Sequence, residues 1–258
     1  MNHLLESFQA DWVLAQKARH TIRLYVSYLR ALFAEYSYPT AAEAKRWVAS
    51  ASTAPVQRKR AQAVRAFGKW AEVNELNTFD WWRTIPVAKE KVVPQPTVTE
   101  DVYLDALKKV TSSRDKALIE ILWSTGLRRS EIARLEVGDI NLSEGFIVVR
   151  TSKTGKPRIA PLSPSARRAL ARHLGKRTTG SVFGLTSSSI RVRLARLALP
   201  SAHAWRRGWA VQSLRNGVSE TSVRVVAGWS TGAMVARYTN TLSGELAIDE
   251  YRRSWNKT

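Results

Sequence analysis

Apolar residues recur at helical spacing through the first third of the chain. One such stripe begins after Thr21 and comprises Ile22, Leu24, Tyr25, Tyr28, Leu29 and Leu32. This spacing places the apolar side chains on one face of a helix. Thr40 and Ser52 can cap two further helices, because a side-chain hydroxyl accepts a hydrogen bond from the first helical turn. The pattern therefore predicts a helical bundle over residues 1–85.

A proline-rich stretch then interrupts the helical pattern. Pro86, Pro94 and Pro96 lie within it, and proline lacks the backbone donor that a helix interior needs. We predict an extended linker over residues 86–96 and a second domain over residues 97–258. A chain of 258 residues with 44% hydrophobic content can fill two cores.

The second domain mixes two kinds of periodicity. Thr97–Glu100 has the spacing of a capping box at a helix start, and the apolar run of residues 117–123 predicts a buried helix that ends at Gly126. Two further runs, Phe146–Arg150 and Arg158–Leu162, predict a β-hairpin. The expected fold class is mainly α with a small β-hairpin or sheet (α+β).

Charge indicates the kind of partner. Lys and Arg number 41 against 21 Asp and Glu, which gives a formal net charge of +20 and a pI near 10.8. A balance this basic favours a polyanion, nucleic acid first of all. A membrane surface is the alternative, but no apolar run approaches the roughly 20 residues of a spanning helix, and the N-terminus lacks a signal-peptide profile. We therefore expect a soluble, cytoplasmic protein.

Metal and thiol chemistry are not expected. The sequence contains no cysteine, and its histidines, His3, His20, His173 and His203, show no ligand spacing. Disulfides, thiol nucleophiles and thiolate metal sites are thereby excluded. We expect neither a metal nor a cofactor.

Arginine, histidine and tyrosine stand in positions suited to phosphate chemistry. Arg128 follows the predicted buried helix, so a rigid element holds its guanidinium. His203 and Arg206, three residues apart (206 − 203), share one helical face. Tyr238 ends a short helix that Ser230 can cap. Taken singly, Arg128 can be a surface arginine, the His-x-x-Arg pair a chance occurrence and Tyr238 a core residue.

Together these motifs resemble the active site of the tyrosine recombinases, the family of phage integrases and Xer-type resolving enzymes. The similarity lies in Thr125-Gly126-Leu127-Arg128-Arg129-Ser130-Glu131, His203-Ala204-Trp205-Arg206 and Val235-Ala236-Arg237-Tyr238. Order and spacing match over residues 97 to 240, and more weakly over the helical stretch before them. The resemblance implies a SAM-like core-DNA-binding domain followed by a catalytic domain.

The resemblance also implies a role for each group. Arg128 and Arg206 would neutralise the phosphate, and Glu131 would support Arg128. Tyr238 would be the nucleophile, and His203 would assist its proton transfer. Such a site replaces a metal ion with guanidinium groups.

A mobile lysine completes this chemistry in the family. Its position here is Lys153, in the turn of the predicted hairpin, where it would protonate the leaving 5′-oxygen. Lys156, in the same turn, is the main competing assignment. Alternatively, both lysines only contact backbone phosphate.

Two positions depart from the usual family pattern. Trp229 stands nine residues before Tyr238 (238 − 229), where most members have histidine. An indole N–H can donate one hydrogen bond to a phosphate oxygen but cannot transfer a proton, and the alternative is a core tryptophan. Arg207 replaces a second histidine that supports the fold more than the chemistry.

The implied function is a site-specific DNA recombinase, most like a phage integrase, that cleaves and rejoins strands through a 3′-phosphotyrosyl intermediate. A type IB topoisomerase shares this chemistry but rejoins the same strand. A non-catalytic DNA-binding regulator is the other alternative, although the full set of catalytic groups counts against it. The implied partners are double-stranded DNA attachment or recombination sites in the nucleoid of a bacterial host.

Basic helices are expected to add further DNA contacts. The last long helix of the bundle carries Arg58, Lys59, Arg60, Arg65 and Lys69. A second basic helix over residues 188–197 carries Arg191 and Arg193. Helices of this kind contact DNA or present a solvated face, and the pattern leaves both possibilities open.

The tail over residues 243–258 adds an expectation about assembly. Ala247, Ile248, Tyr251 and Trp255 form one apolar stripe at helical spacing. In the family the equivalent segment docks on a neighbouring subunit, which implies a homo-tetramer on paired DNA sites, assembled from monomers in solution. The tail can instead fold back onto its own domain. At the other end, the bundle begins within the first twenty residues, so no additional arm-binding domain is expected ahead of it.

Overall fold

The computed structural model describes residues 1–89, 95–150, 157–232, 235–236 and 243–255. The chain divides into two compact units, Met1–Lys91 and Val92–Thr258. Helices dominate both units, and the second unit contains a three-stranded sheet. The predicted fold class, mainly α with a small sheet, is confirmed. Among the helices of the described residues, none combines the length and the hydropathy needed to cross a membrane.

The first unit is a helical bundle with an aromatic core. Its elements are α1 (Asn2–Leu14), α2 (Arg19–Glu35), α3 (Ala41–Ala49), α4 (Ala54–Val73) and a 3-10 helix (Asn77–Thr84). Phe67 of α4 is central, because its ring meets Phe8 at 5.6 Å and Phe33 at 5.1 Å between centroids, both edge to face. Such pairs add directional attraction to the burial of apolar area.

One predicted cap in the bundle is confirmed and one is wrong. Thr40 and Glu43 form a reciprocal capping box at the start of α3. Ser52 does not cap α4, because the helix begins at Ala54 and Thr53 occupies the N-cap position. Pro55 then falls in the first turn, where its missing N–H is tolerated.

The second unit places a small sheet among helices. Its elements are α5 (Glu100–Lys109), α6 (Ser113–Thr125), α7 (Arg129–Ile132), a 3-10 turn (Val137–Asp139), β1 (Ile140–Asn141), β2 (Phe146–Val149), β3 (Arg158–Pro161), α8 (Pro164–Leu174), α9 (Ser187–Arg196), α10 (Ala202–Arg215), α11 (Glu220–Ala227) and the C-terminal helix (Ser243–Trp255). The strands pair antiparallel in the order β1-β2-β3. The predicted hairpin corresponds to β2 and β3, with Val149 opposite Arg158. Strand β1 was not predicted, since two residues leave no periodic signal.

The predicted capping box at Thr97–Glu100 is wrong, although a helix does begin at Glu100. Thr99 occupies the N-cap position without a side-chain cap bond, and the Thr97 hydroxyl donates to the carbonyl of Gln95 at 3.2 Å. The backbone N–H of Val98 donates instead to the carbonyl oxygen of Ala204, in α10, at 3.2 Å. Gly208 permits this approach, because a Cβ there would lie 2.3 Å from the Val98 carbonyl oxygen.

Helix α6 is the centre of the second core, as its apolar run predicted. Ala117, Leu118, Ile119, Ile121 and Leu122 are almost fully buried, and the helix packs against α8 and α10. It ends at Gly126, whose φ of 59° lies in the left-handed region. The end of this buried helix therefore fixes the position of the residues that follow it.

Gly126→Ala is expected to destabilise the second unit strongly. A Cβ at Gly126 would lie 2.1 Å from Cε3 of Trp209. The left-handed backbone costs roughly 1–2 kcal/mol and overpacking about 1–3 kcal/mol, so the free energy of unfolding should fall by about 2–5 kcal/mol. Gly180→Ala is the matched control, because Gly180 also has a positive φ but has no atom within 4 Å of an added Cβ. Urea denaturation that gave both variants equal losses would contradict the predicted clash with Trp209.

Candidate functional site

Arg128 lies at the N-terminus of α7, two residues after the glycine that ends α6. Its backbone N–H donates to Oε2 of Glu131 at 2.7 Å, and its Nη1 donates to Oε1 of Glu131 at 2.9 Å. The Arg128 side chain is 24% exposed, whereas that of Glu131 is only 3% exposed. Glu131 therefore orients a guanidinium that stays accessible, which is the geometry expected from the sequence.

Arg158 is a second partner of Glu131, and no sequence motif marks it as a site residue. Its Nη1 and Nη2 donate to the two carboxylate oxygens at 3.0 and 2.7 Å. Burial by itself would raise the pKa of Glu131, but the bonds from Arg158 and Arg128, together with the charge of Arg158, lower it below its usual value. Glu131 is therefore ionised at neutral pH and binds two arginines at once.

Arg206 projects from α10 into the protein interior and is 2% exposed. Its Nη2 donates to the carbonyl of Ala227 at 2.7 Å, and its Nη1 donates to the carbonyl of Gly126. The guanidinium also lies 5.0 Å from the ring centroid of Trp229. Backbone carbonyls and an aromatic face thus compensate for the desolvation of this charge.

The end of α11 brings Arg128 and Arg206 together. Helix α11 ends at Ala227, and Gly228 follows in the left-handed conformation with φ of 65°. The carbonyl of Ala227 accepts from Arg206, and that of Gly228 accepts from Nη2 of Arg128 at 3.3 Å. Because carbonyls at a helix C-terminus carry partial negative charge, each of these two carbonyls stabilises one guanidinium group.

Trp229 lies directly after this turn and is 7% exposed. It packs in a small cluster with Trp209, Val223 and Val235. The burial fits a packing role for the indole, and the contact with Arg206 places it beside that guanidinium. Its hydrogen bond to a phosphate oxygen stays a prediction.

His203 lies in the first turn of α10, the helix that also carries Arg206, and it is exposed. Ser201 caps α10 by accepting from the N–H of Ala204 at 3.4 Å. Partial desolvation lowers the pKa of His203 below 6.5, and the nearby Arg207 and Arg206 lower it further. The imidazole is therefore neutral at neutral pH and can accept a proton.

A cleft of about 370 Å³ opens on the surface beside Arg128 and His203, whereas Arg206 and Trp229 are buried and are not part of its lining. Its lining comprises Arg128, Arg129, Ser130, Ser187, Ser201, Ala202 and His203. Arg129 is fixed in its wall, because Nε donates to the hydroxyl of Ser187 at 2.9 Å. The cleft is cationic and hydroxyl-rich, which suits a phosphate group. Among the described residues, no group of three or more His, Asp or Glu is arranged to hold a metal ion.

Three predicted site residues, Lys153, Lys156 and Tyr238, lie outside the described residues. The approach to Tyr238 is described at Val235 and Ala236, whose N–H groups donate to the carbonyl of Gly232 at 2.8 and 3.0 Å. This is the start of a helical turn. The roles of the three residues stay predictions.

The basic residues predicted to contact DNA differ in their surroundings. Lys59, Lys69 and Arg191 are exposed and Arg58 is half-buried. The others make internal contacts. Arg60 donates to the carbonyl oxygen of Trp47 at 2.8 Å, and Arg65 to that of Ile85 at 3.0 Å. Arg193 donates to the carboxylate of Asp115. The exposed lysines are therefore better placed for phosphate contacts than the arginines that hold the fold.

Comparison with known proteins extends over both units. The sequence model of the phage integrase family matches residues 97–245. Tyrosine recombinase XerA of Pyrococcus horikoshii is 28% identical over 70% of this chain and 63% of the relative, and that of Pyrococcus furiosus is 30% identical over 70% and 64%. The chain thus spans somewhat less than two thirds of the length of these two relatives.

A solved structure supports the fold. A lambda integrase dimer bound to a COC′ core site matches with a TM-score of 0.76 at 17% identity, covering 92% of this chain and 76% of that one. The family match covers more than half of the chain and includes Arg128, His203 and Arg206. The resemblance inferred from the motifs is confirmed, and the chain belongs to the phage integrase family.

Proposed function

We propose that this protein is a site-specific DNA recombinase that cleaves and rejoins strands through a 3′-phosphotyrosyl intermediate. The observation that carries the proposal is the convergence of Arg128 and Arg206 on the carbonyls of Gly126, Ala227 and Gly228. Arg128 and the neutral His203 line the cleft, and Arg206 is held behind it by the same turn that holds Arg128. Together these groups form a site for a phosphodiester.

The chemistry assigns one task to each group. A phosphodiester repels nucleophiles, so Arg128 and Arg206 neutralise its non-bridging oxygens as negative charge develops. Tyr238 attacks in line, so that a Tyr O–P bond forms while the bond from phosphorus to the 5′-oxygen breaks. His203 accepts the tyrosine proton, and Lys153 donates a proton to the leaving 5′-oxygen.

The phosphotyrosyl bond conserves the energy of the broken phosphodiester. A 5′-hydroxyl from a partner duplex can attack it, which reverses the step and joins a different strand. The reaction therefore needs no ATP, and the arginines take the electrostatic role of a metal ion. The partners would be double-stranded attachment or recombination sites in the nucleoid of a bacterial host.

The two competing functions differ from this one in their products. A type IB topoisomerase would relax supercoiled DNA without joining strands of different duplexes. A regulator would bind DNA without forming a covalent intermediate. The similarity to proteins named tyrosine recombinase XerA favours recombination.

Covalent capture from genomic DNA tests the proposal and identifies the DNA site in the same experiment. The protein is incubated with nicked fragments of the genome that encodes it, denatured, and purified with any DNA attached to it. Sequencing should reveal a recurring site, and capture should persist in excess chelator and without ATP. Exchange between two such duplexes would distinguish a recombinase from a topoisomerase, and the absence of any attached DNA would refute both.

Within the proposed function, we expect a homo-tetramer on paired sites and monomers in solution. The C-terminal helix contacts α10 of its own chain. Even so, Ile248, Tyr251 and Trp255 are 53%, 65% and 69% exposed. An apolar stripe that its own unit leaves exposed supports docking onto a neighbouring subunit.

Removal of residues 244–258 should therefore separate binding from assembly. We expect the truncated protein to bind a single duplex normally but to lose the synaptic complex on paired sites. Native gels and light scattering measure both species. Ile248→Ser combined with Tyr251→Ser and Trp255→Ser should reproduce the loss with the helix in place. Tetramers formed by either variant at the wild-type protein concentration would contradict docking through this stripe.

A further inference from the structure

Arg158 stands where three segments of the second unit meet. It lies on β3, and its guanidinium binds both oxygens of Glu131 at the start of α7. Its Nε donates to the carbonyl of Val226 in α11 at 2.7 Å. The Arg158 side chain is 7% exposed, so its charge is shielded from solvent and is compensated by the Glu131 carboxylate and the Val226 carbonyl.

The same side chain packs against the turn that holds the other two arginines. A Cβ on Gly228 would lie 3.2 Å from Cδ of Arg158. The Gly228 carbonyl accepts from Arg128, and the preceding carbonyl, of Ala227, accepts from Arg206. Arg158 therefore fixes the turn from which both phosphate-binding guanidinium groups are positioned.

Arg158 also limits how strongly Glu131 can neutralise Arg128. Each oxygen of Glu131 accepts one bond from Arg158. Of these two oxygens, the Arg128 guanidinium reaches only Oε1, while Oε2 accepts from the Arg128 backbone N–H. A carboxylate matched to one guanidinium alone would form a two-bond pair with it. By engaging both oxygens, Arg158 prevents that pairing and preserves the charge of Arg128.

We infer that Arg158 is a positioning residue for DNA cleavage. It binds both oxygens of the Glu131 carboxylate, so that Glu131 neutralises Arg128 only in part and the Arg128 charge remains available to the phosphate. The inference rests on the proposed function. It also links β3, the strand that follows Lys153 in the sequence, to the arginine pair. Arg158 itself does not touch the reacting atoms.

A double-mutant cycle separates this role from a structural one. Arg158→Met keeps the apolar stem and removes the charge, which leaves Glu131 to pair with Arg128 alone. Cleavage of the captured DNA site should slow by about 10- to 100-fold, the usual cost of losing a group that orients another. DNA affinity should change little, because all three guanidinium nitrogens of Arg158 are already bonded to Glu131 and Val226.

Glu131→Gln provides the decisive comparison. In the Arg158→Met background it removes the carboxylate that neutralises Arg128, so cleavage by the double variant should be about threefold or more faster than by Arg158→Met alone. A merely structural role of Arg158 predicts a further loss or no change. Arg150→Met is the matched control, since Arg150 directly follows β2, is 69% exposed and pairs with Asp139.

The outcomes are distinguishable. If the wild-type protein captures no DNA, the proposed function and this inference both fail. If the wild-type protein cleaves and Arg158→Met cleaves equally fast, or if Glu131→Gln gives no recovery, only the inference fails. Thermal unfolding verifies the fold of each variant. Should Arg158→Met be unfolded at the assay temperature, Arg158→Lys takes its place, because one ammonium cannot make the paired bonds to Glu131, and the same recovery by Glu131→Gln is expected.

Discussion

Tyr238→Phe is expected to abolish the covalent protein–DNA complex and to leave DNA affinity nearly unchanged. The phenolic oxygen is the proposed nucleophile, and phenylalanine keeps the ring but removes that atom. The basic residues that bind the backbone are untouched by the change. Denaturing gels of protein incubated with a nicked, labelled site measure the covalent complex, and gel-shift titration measures affinity.

Tyr251→Phe is the control for this experiment. Tyr251 follows Tyr238 in the sequence, lies on the C-terminal helix and is 65% exposed. The control should retain the covalent complex, because its phenol has no role in the proposed cleavage. If Tyr238→Phe were as active as the wild-type protein, the nucleophile would have to be reassigned, with Tyr251 tested first.

Several features that depend on neighbouring residues were predicted correctly from the sequence, although the cap at Ser52 was not. The burial of α6 followed from its continuous apolar run, and Gly126 ended the helix in the left-handed conformation as expected. The pairing of β2 with β3 followed from two apolar runs joined by a predicted turn. In each case the local pattern and the tertiary environment favour the same structure.

Features that depend on distant residues were not predicted. Arg158 is a strand residue with no recognisable motif, and its pairing with Glu131 spans 27 positions. The N-terminal segment of the second unit failed as a capping box because Val98 bonds to Ala204 instead. Local spacing carries no information about either contact, since both arise only when separate segments pack.

The sequence also did not predict that the Arg206 side chain is buried. Its spacing from His203 indicated that both lie on one helical face, and both do lie on α10. Their environments nevertheless differ, since His203 is exposed and Arg206 is 2% exposed. The difference arises from α11, whose C-terminal carbonyl draws the guanidinium inward. Arg206 therefore needs the end of a second helix to reach its position.

DNA binding is expected to weaken steeply as salt rises. A net charge of +20 implies that association releases counterions from the DNA. Contact with six to ten phosphates would lower affinity by about 10³- to 10⁵-fold between roughly 50 and 200 mM salt. Fluorescence anisotropy with the captured duplex across a salt series measures the slope, and a flat response would contradict binding through the phosphate backbone.

Single substitutions on α4 should resolve which residues produce that slope. Lys59 and Lys69 are exposed, so Lys59→Gln and Lys69→Gln should each reduce the slope of log affinity against log salt by about 1. Arg60→Gln is the matched control on the same helix, because the Arg60 guanidinium is held by the Trp47 carbonyl at 2.8 Å and lies 4.3 Å from the Trp47 ring. It should leave the slope nearly unchanged. If Arg60→Gln reduced the slope as much as the lysine variants do, the internal contacts of Arg60 would have to break when DNA binds. Exposure in the free protein would then not identify the residues that contact DNA.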